Sequence, residues 1–292
     1  MNIKDLKRIY LQNDELKEIR CFSNIIWWRQ PRKVWLCENG DASGYPIDID
    51  PKGNVYQGMS RGYYRKLNSQ GQEVWRKQDG GTTFQSIKID TAGHILICGT
   101  YGRLIKLDSS GKKLDEIPKI ESFSTSSAYR IIIDDNDNIY LLGGGGLQRG
   151  IIAKVSPSFK IQWEKKIPSE GSIYGAANKN NKIYFGTRSG KVCECDSNGN
   201  IIELLQLQNK NHIISMVYHD EYLYVGDNGR SLFKIDDNNK IEWEYKDVYT
   251  VRQLAVGTTG CVYIGNGFEE TVDGFLTKIS PNGKLMERLP LI

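Results

Sequence analysis

Six glycines stand at nearly regular intervals: Gly58, Gly99, Gly143, Gly186, Gly226 and Gly265, separated by 41, 44, 43, 40 and 39 residues. Each closes an apolar run, and the first three runs follow an Asp-led polar turn: "DIDPKGNVYQG" at 48–58, "KIDTAGHILICG" at 88–99 and "IIIDDNDNIYLLG" at 131–143. A fixed period near 40 residues is the mark of a repeat architecture, and it constrains the fold more tightly than any single motif. Each unit divides into four short strands, A to D. In the second unit these are "QSIKID", "HILICG", "RLIKLD" and "KLDEI"; in the fifth, "IISMVY", "YLYVG", "SLFKID" and "KIEWEY". Between strands C and D sit "NSQGQ", "DSSGK", "DSNGN", "DDNNK" and "SPNGK", whose Gly and Asn suit the positive φ of hairpin turns. No helical periodicity persists through 44–292.

Four-stranded units repeated around a circle make an all-β fold, the β-propeller of antiparallel blades. One unit cannot bury both of its faces, so neighbouring blades must cover them. Thirty Gly, sixteen Tyr, six Trp and eight Phe suit strands, tight turns and a substantial core. The expected organisation is a single domain over 1–292, with six repeats of about 41 residues in 44–292. Residues 1–43 are expected to form a degenerate seventh blade, because "DLKRIYLQNDELKEIRCF" echoes the last C–D hairpin, "FLTKISPNGKLMERL". The alternative is six blades plus an N-terminal extension against the rim, and a helix over 3–20 competes with the strand reading.

The units "NVYQGMSRGYYRKLNSQGQEVW" and "YLYVGDNGRSLFKIDDNNKIEW" resemble the repeats of quinoprotein-like (PQQ-like) propellers, with Trp75, Trp163 and Trp243 ending strand D. The turns "DIDPKGNVY" and "IIIDDNDNIY" are more similar to those of NHL-type propellers. In quinoprotein dehydrogenases, which are exported, the cofactor site uses calcium, a disulfide and a stacking Trp. This sequence shows no export signal and no adjacent Cys pair, and it lacks the lipobox of the related outer-membrane assembly factors. The resemblance therefore implies a non-enzymatic scaffold and transfers no cofactor. Cys21, Cys37, Cys98, Cys193, Cys195 and Cys261 include no CxxC and read as reduced thiols. With no signal-peptide run and no membrane-spanning stretch, a cytoplasmic location is expected. The Asn-, Lys- and Ile-rich composition fits an AT-rich genome such as that of a phage or other mobile element.

Alternating strand direction puts the B–C and D–A turns on one face, and the A–B and C–D turns on the other. Five of the six B–C turns carry an arginine: Arg61, Arg103, Arg149, Arg188 and Arg230. The sixth, "GNGFEETVDG", carries Glu269, Glu270 and Asp273. Guanidinium forks suit phosphate and carboxylate, although each arginine could simply support its own turn. The segments leading into strand A bring Tyr45, Gln85, Tyr129, Arg130, Tyr174, Arg252 and Gln253 to the same face near the axis. Aromatic area with hydrogen-bonding groups makes a binding surface; the bland reading is a channel plugged by its own side chains. On the opposite face Asp50, Asp90 and Asp134 share one repeat position, which points to turn capping rather than calcium. Lys66, Lys106, Lys154, Lys234 and Lys278 recur in strand C and read as stems lying over apolar surface with amines in solvent.

No P-loop, GxSxG, HExxH or helix-opening GxGxxG is present. No catalytic residue, metal site or cofactor is expected. Thirty-nine basic against thirty-five acidic residues disfavour nucleic acid. The first functional expectation is a propeller that binds a protein partner through the Arg/Tyr face. The second is a small anionic ligand, such as a sugar, nucleotide or peptide carboxylate, at the axial mouth. The third is a propeller-type lyase or hydrolase, for which His212 is the one histidine placed near that mouth.

Overall fold

The computed structural model describes residues 10–11, 18–20, 25–28, 44–145, 149–168, 170–248, 250–266 and 275–290. From residue 44 onward they form six four-stranded antiparallel sheets: blade 1 over 44–78, blade 2 over 84–117, blade 3 over 127–168, blade 4 over 176–206, blade 5 over 213–246 and blade 6 over 251–290. Within each blade the strands lie in chain order. Strand A of each blade packs beside strand A of the next, from blade 1 through to blade 6. This is a β-propeller with six blades, not the seven expected. The N-terminal segment supplies Tyr10–Leu11, Glu18–Arg20 and Ile25–Trp28, which pair as a separate three-stranded sheet. Its first strand lies against strand A of blade 6. Each blade from residue 44 onward takes all four of its strands from contiguous sequence, so none needs the N-terminus to complete it. The residues described within 3–20 are strands, not helix.

The core lies between blades. One cluster joins Tyr64 and Phe84 across blades 1 and 2, and another joins Leu104 and Leu141 across blades 2 and 3. Ile152 and Phe185 meet across blades 3 and 4, Ile213 and Val192 across 4 and 5, and Leu232 and Val262 across 5 and 6. Full burial of each such aliphatic side chain contributes about 1.5–3 kcal/mol. The repeating glycine sits where strand B is overrun by a neighbour. A Cβ on Gly99 would meet the Thr83 carbonyl oxygen at 2.3 Å, and one on Gly186 would meet Ile213 Cγ2 of the next blade at 2.1 Å.

Alternate interfaces carry a tryptophan clasp. Trp75 Nε1 donates to the Ser109 carbonyl (3.3 Å), Trp163 Nε1 to Ser197 (3.1 Å) and Trp243 Nε1 to Pro281 (2.9 Å). Each indole thereby holds the C–D turn of the following blade. Lys66 and Lys154, expected to end in solvent, instead donate to the same Ser109 and Ser197 carbonyls and lie over the Tyr56 and Tyr140 rings. The turns of the opposite face are capped by their own first residue. Asp134 Oδ1 accepts from the backbone N–H of Asn136 (3.0 Å) and Asn138 (2.9 Å), and Asp50 and Asp90 do the same in their blades. Strand D, the outer edge, carries one extra residue against strand C in every blade: Val74, Leu114, Gln162, Leu204, Glu242 and Met286.

Candidate binding site at the axial channel

The six strands A, Gly44–Ile49, Phe84–Ile89, Ser127–Ile133, Ala176–Lys179, Ile213–His219 and Val251–Val256, all contribute to one cavity of about 410 Å³. Its polar lining includes Asp48, Ser86, Lys88, Arg130, Asn178 and Gln253. Near the end where the chain enters strand A, the pairing with strand B slips by one residue in blades 2, 3, 5 and 6. The residues at the slip are Gln85, Tyr129, Ile214 and Arg252; in blade 1 the slip covers Tyr45 and Pro46. A bulge re-aims the side chain it frees, so the mouth is surrounded by residues released from the ladder.

Three half-buried rings form a continuous shelf beside Arg130, outside the lining of the cavity itself. Tyr129 packs on Tyr174 with centroids 4.5 Å apart, and Tyr174 packs on His212 at 5.1 Å. Burial, reinforced by the neighbouring Tyr174, pushes the Tyr129 phenol up to about 12. His212 Nε2 lies 3.0 Å from the Ser172 carbonyl oxygen, so it is Nε2 that carries the proton. Burial first, and then the Arg188 charge, hold the imidazole below its ordinary pKa, against the pull of that carbonyl. His212 is therefore neutral near pH 7.

Charge in the cavity is unbalanced. Asp48 is matched: Oδ1 lies 3.2 Å from Lys88 Nζ, and Oδ2 accepts from the Ile89 N–H at 2.9 Å. Arg130 has no carboxylate partner among the described residues; its Nη1 donates to its neighbour's carbonyl, Tyr129 O (3.2 Å), and its Nη2 reaches across the channel to Ile214 O of blade 5 (3.5 Å). The channel leaves Arg130 partly accessible, yet protein surrounds it closely enough that burial drives its pKa down to about 10.

Of the residues singled out in the sequence, Arg130 and Gln253 line the cavity, and Tyr129 and Tyr174 build the shelf. Gln85 and Arg252 occupy bulge positions. Tyr45 lies in strand A of blade 1, but its side chain is outside the described residues, as are Glu269, Glu270 and Asp273. The B–C arginines sit in their own turns. Arg103 is held by Asp79 (2.8 Å) and Glu116 (2.6 Å). Arg61 and Arg230 have φ of 58° and 75° within their turns. Arg188 covers Gly171, and Arg149 opens strand C of blade 3 opposite Pro168. Sequence reasoning passed over Asp48, Ser86, Lys88 and Asn178. Asp48, Lys88 and Asn178 lie close to the A–B turn while Ser86 follows the bulge at the other end of its strand, and the position of Asp48 and Lys88, two residues before the turn aspartates, was the available signal.

The fold and its axial cavity place the chain in the class of six-bladed β-propellers. No family model and no curated protein matches the sequence. Solved structures do. Virginiamycin B lyase from Staphylococcus aureus superposes with a TM-score of 0.71 at 16% identity, over 87% of this chain and 86% of that one. A streptogramin B lyase gives 0.68 at 16% identity, over 88% and 85%. The computationally designed Ika8 protein gives 0.71 at 12% identity, over 98% and 87%. At such identities the likeness shows the fold. Among the described residues no helix is long and apolar enough to cross a membrane.

Proposed function

We propose that this propeller is a binding protein for a small anion, held in the axial cavity by Arg130. The observation that carries this reading is the uncompensated guanidinium: a cation kept among protein atoms, its only described partners two backbone carbonyls. Burying a charge without a counter-charge is costly, and a ligand anion would supply the missing one. The cavity is within the size range of small-molecule sites and too small for a folded partner. Arg103, by contrast, is already neutralised by protein carboxylates.

The lyase names belong to the neighbours, and His212, the residue such chemistry would call on here, is neutral and tied to the Ser172 carbonyl. The competing reading, a scaffold for a protein partner, places binding on the outer turns and makes it indifferent to Arg130. The test is a thermal-shift series with acetate, citrate and inorganic phosphate on the wild type and on Arg130→Gln. Stabilisation confined to the wild type and weakened by added salt supports the anion site. An equal response of both proteins, or none in the wild type, refutes it.

A further inference from the structure

Resting on the anion reading just given, we infer that the ligand is a ring-bearing acid: its anionic group meets Arg130, and its ring lies on the shelf of Tyr129, Tyr174 and His212. The cavity of about 410 Å³ is far larger than a bare inorganic ion needs, since one water molecule occupies about 30 Å³ in the liquid. Beside the guanidinium, three rings from three different segments are already in mutual contact: the bulge of blade 3 and the loops leading into blades 4 and 5. Two are fixed by more than packing. Tyr129 adjoins Arg130 through its carbonyl, and His212 is tied to Ser172. The Arg130 guanidinium adjoins the shelf directly, because Nη1 donates to Tyr129 O.

An aromatic cluster that served only as a plug would be fully buried, as Phe84, Phe123 and Phe185 are in the blade cores. These three rings are only half-buried instead. Rings of this kind accept a flat or cyclic partner by offset stacking. Ser215 and Gln253, each the residue directly after a bulge and so level with Arg130, offer donors and acceptors to ring hydroxyls. A sugar acid and a hydroxylated aryl acid share this chemistry.

Isothermal titration calorimetry with matched acids tests the inference. Acetate reports the anion contact alone, benzoate adds a flat ring, and glucuronate adds a hydroxylated one. Both ring acids should bind about three- to tenfold more tightly than acetate. The tighter of the two identifies an aryl or a sugar source. Tyr174→Ala should bring the affinity ratio of the ring acids to acetate down to about one, and Tyr174→Phe should keep the ring advantage. An unchanged urea-unfolding midpoint certifies that the alanine variant is folded. Equal affinity of all three acids for the wild type overturns the ring inference and leaves the anion site standing. Failure of every acid to bind overturns the anion reading, and the ring inference falls with it.

Discussion

Replacing Arg130 by methionine keeps a flexible stem of similar length and removes the charge. The guanidinium's pKa, ordinarily above 12, is pushed down to about 10 by burial. That depression corresponds to a burden of about 3 kcal/mol on the charged form in the folded state. Against it stand two hydrogen bonds, to Tyr129 O at 3.2 Å and Ile214 O at 3.5 Å. The second is at the limit of useful length, and together they return about 1–2 kcal/mol. Arg130→Met should therefore stabilise the protein by about 1 kcal/mol when no anion is supplied. With a urea slope of about 2 kcal/mol per molar, this is a rise of about half a molar in midpoint. Urea is the right denaturant, because guanidinium chloride would bring its own anion and screen the charge. At a hundred times the dissociation constant of a bound acid, the wild type should gain about 2.7 kcal/mol and the variant nothing. The order of stability should thus reverse on adding ligand. If Arg130→Met instead loses 1 kcal/mol or more without ligand and still responds to acids as the wild type does, Arg130 is a tie between blades 3 and 5, and the charge argument is wrong.

Two further outcomes test the frame around the site. Gly283 and Gly93 both sit in turns at positive φ, 75° and 83°, but a Cβ on Gly283 would meet Trp243 Cδ2 at 2.8 Å while one on Gly93 meets nothing within 4 Å. Gly93→Ala should cost about 1–2 kcal/mol from φ alone; Gly283→Ala should cost about 1–3 kcal/mol more, and Trp243→Ala in the same chain should remove the excess. Equal costs for the two glycines in urea melts would show that the indole yields freely. Because the His212 pKa is depressed in the fold, the unfolded chain binds the extra proton, so stability should be full above about pH 6.5 and decline as pH falls below it. His212→Gln should flatten that part of the stability–pH curve, and an unchanged slope would assign it to another group.

The blade repeat could be read from the sequence because its glycines mark a steric necessity: strand B must admit a neighbour at Gly99 and Gly186. Blade number was misread because a hairpin-like pattern and a length divisible by the repeat do not reveal which strands pair. Among the described residues the N-terminal strands, two, three and four residues long, pair only with one another. Arginine recurrence likewise carried no information about neutralisation. Arg103 meets Glu116 across its own hairpin, and meets Asp79 only because the segment leaving blade 1 runs beside that hairpin. The residue types at the mouth were legible, but their convergence depends on bulges that one chain's pattern does not display. Tyr129 is freed from the ladder by a one-residue slip that becomes visible only when its partner strand is known.

The extra residue in every strand D has a consequence for how these molecules meet one another. A propeller hides the inner margin of each blade but leaves six outer strands whose backbone groups are half unpaired, each a template for recruiting a foreign strand. At Val74, Leu114 and Met286 the inserted residue is about half exposed or more, at 54%, 47% and 54%. Such an insertion kinks the outer strand and breaks the hydrogen-bond spacing that an incoming chain would have to match. Six irregular margins thus guard the disc against growing sideways into stacks and fibrils, and the exposure of three of the four apolar inserted side chains is tolerable because the backbone beside them offers no clean register to join.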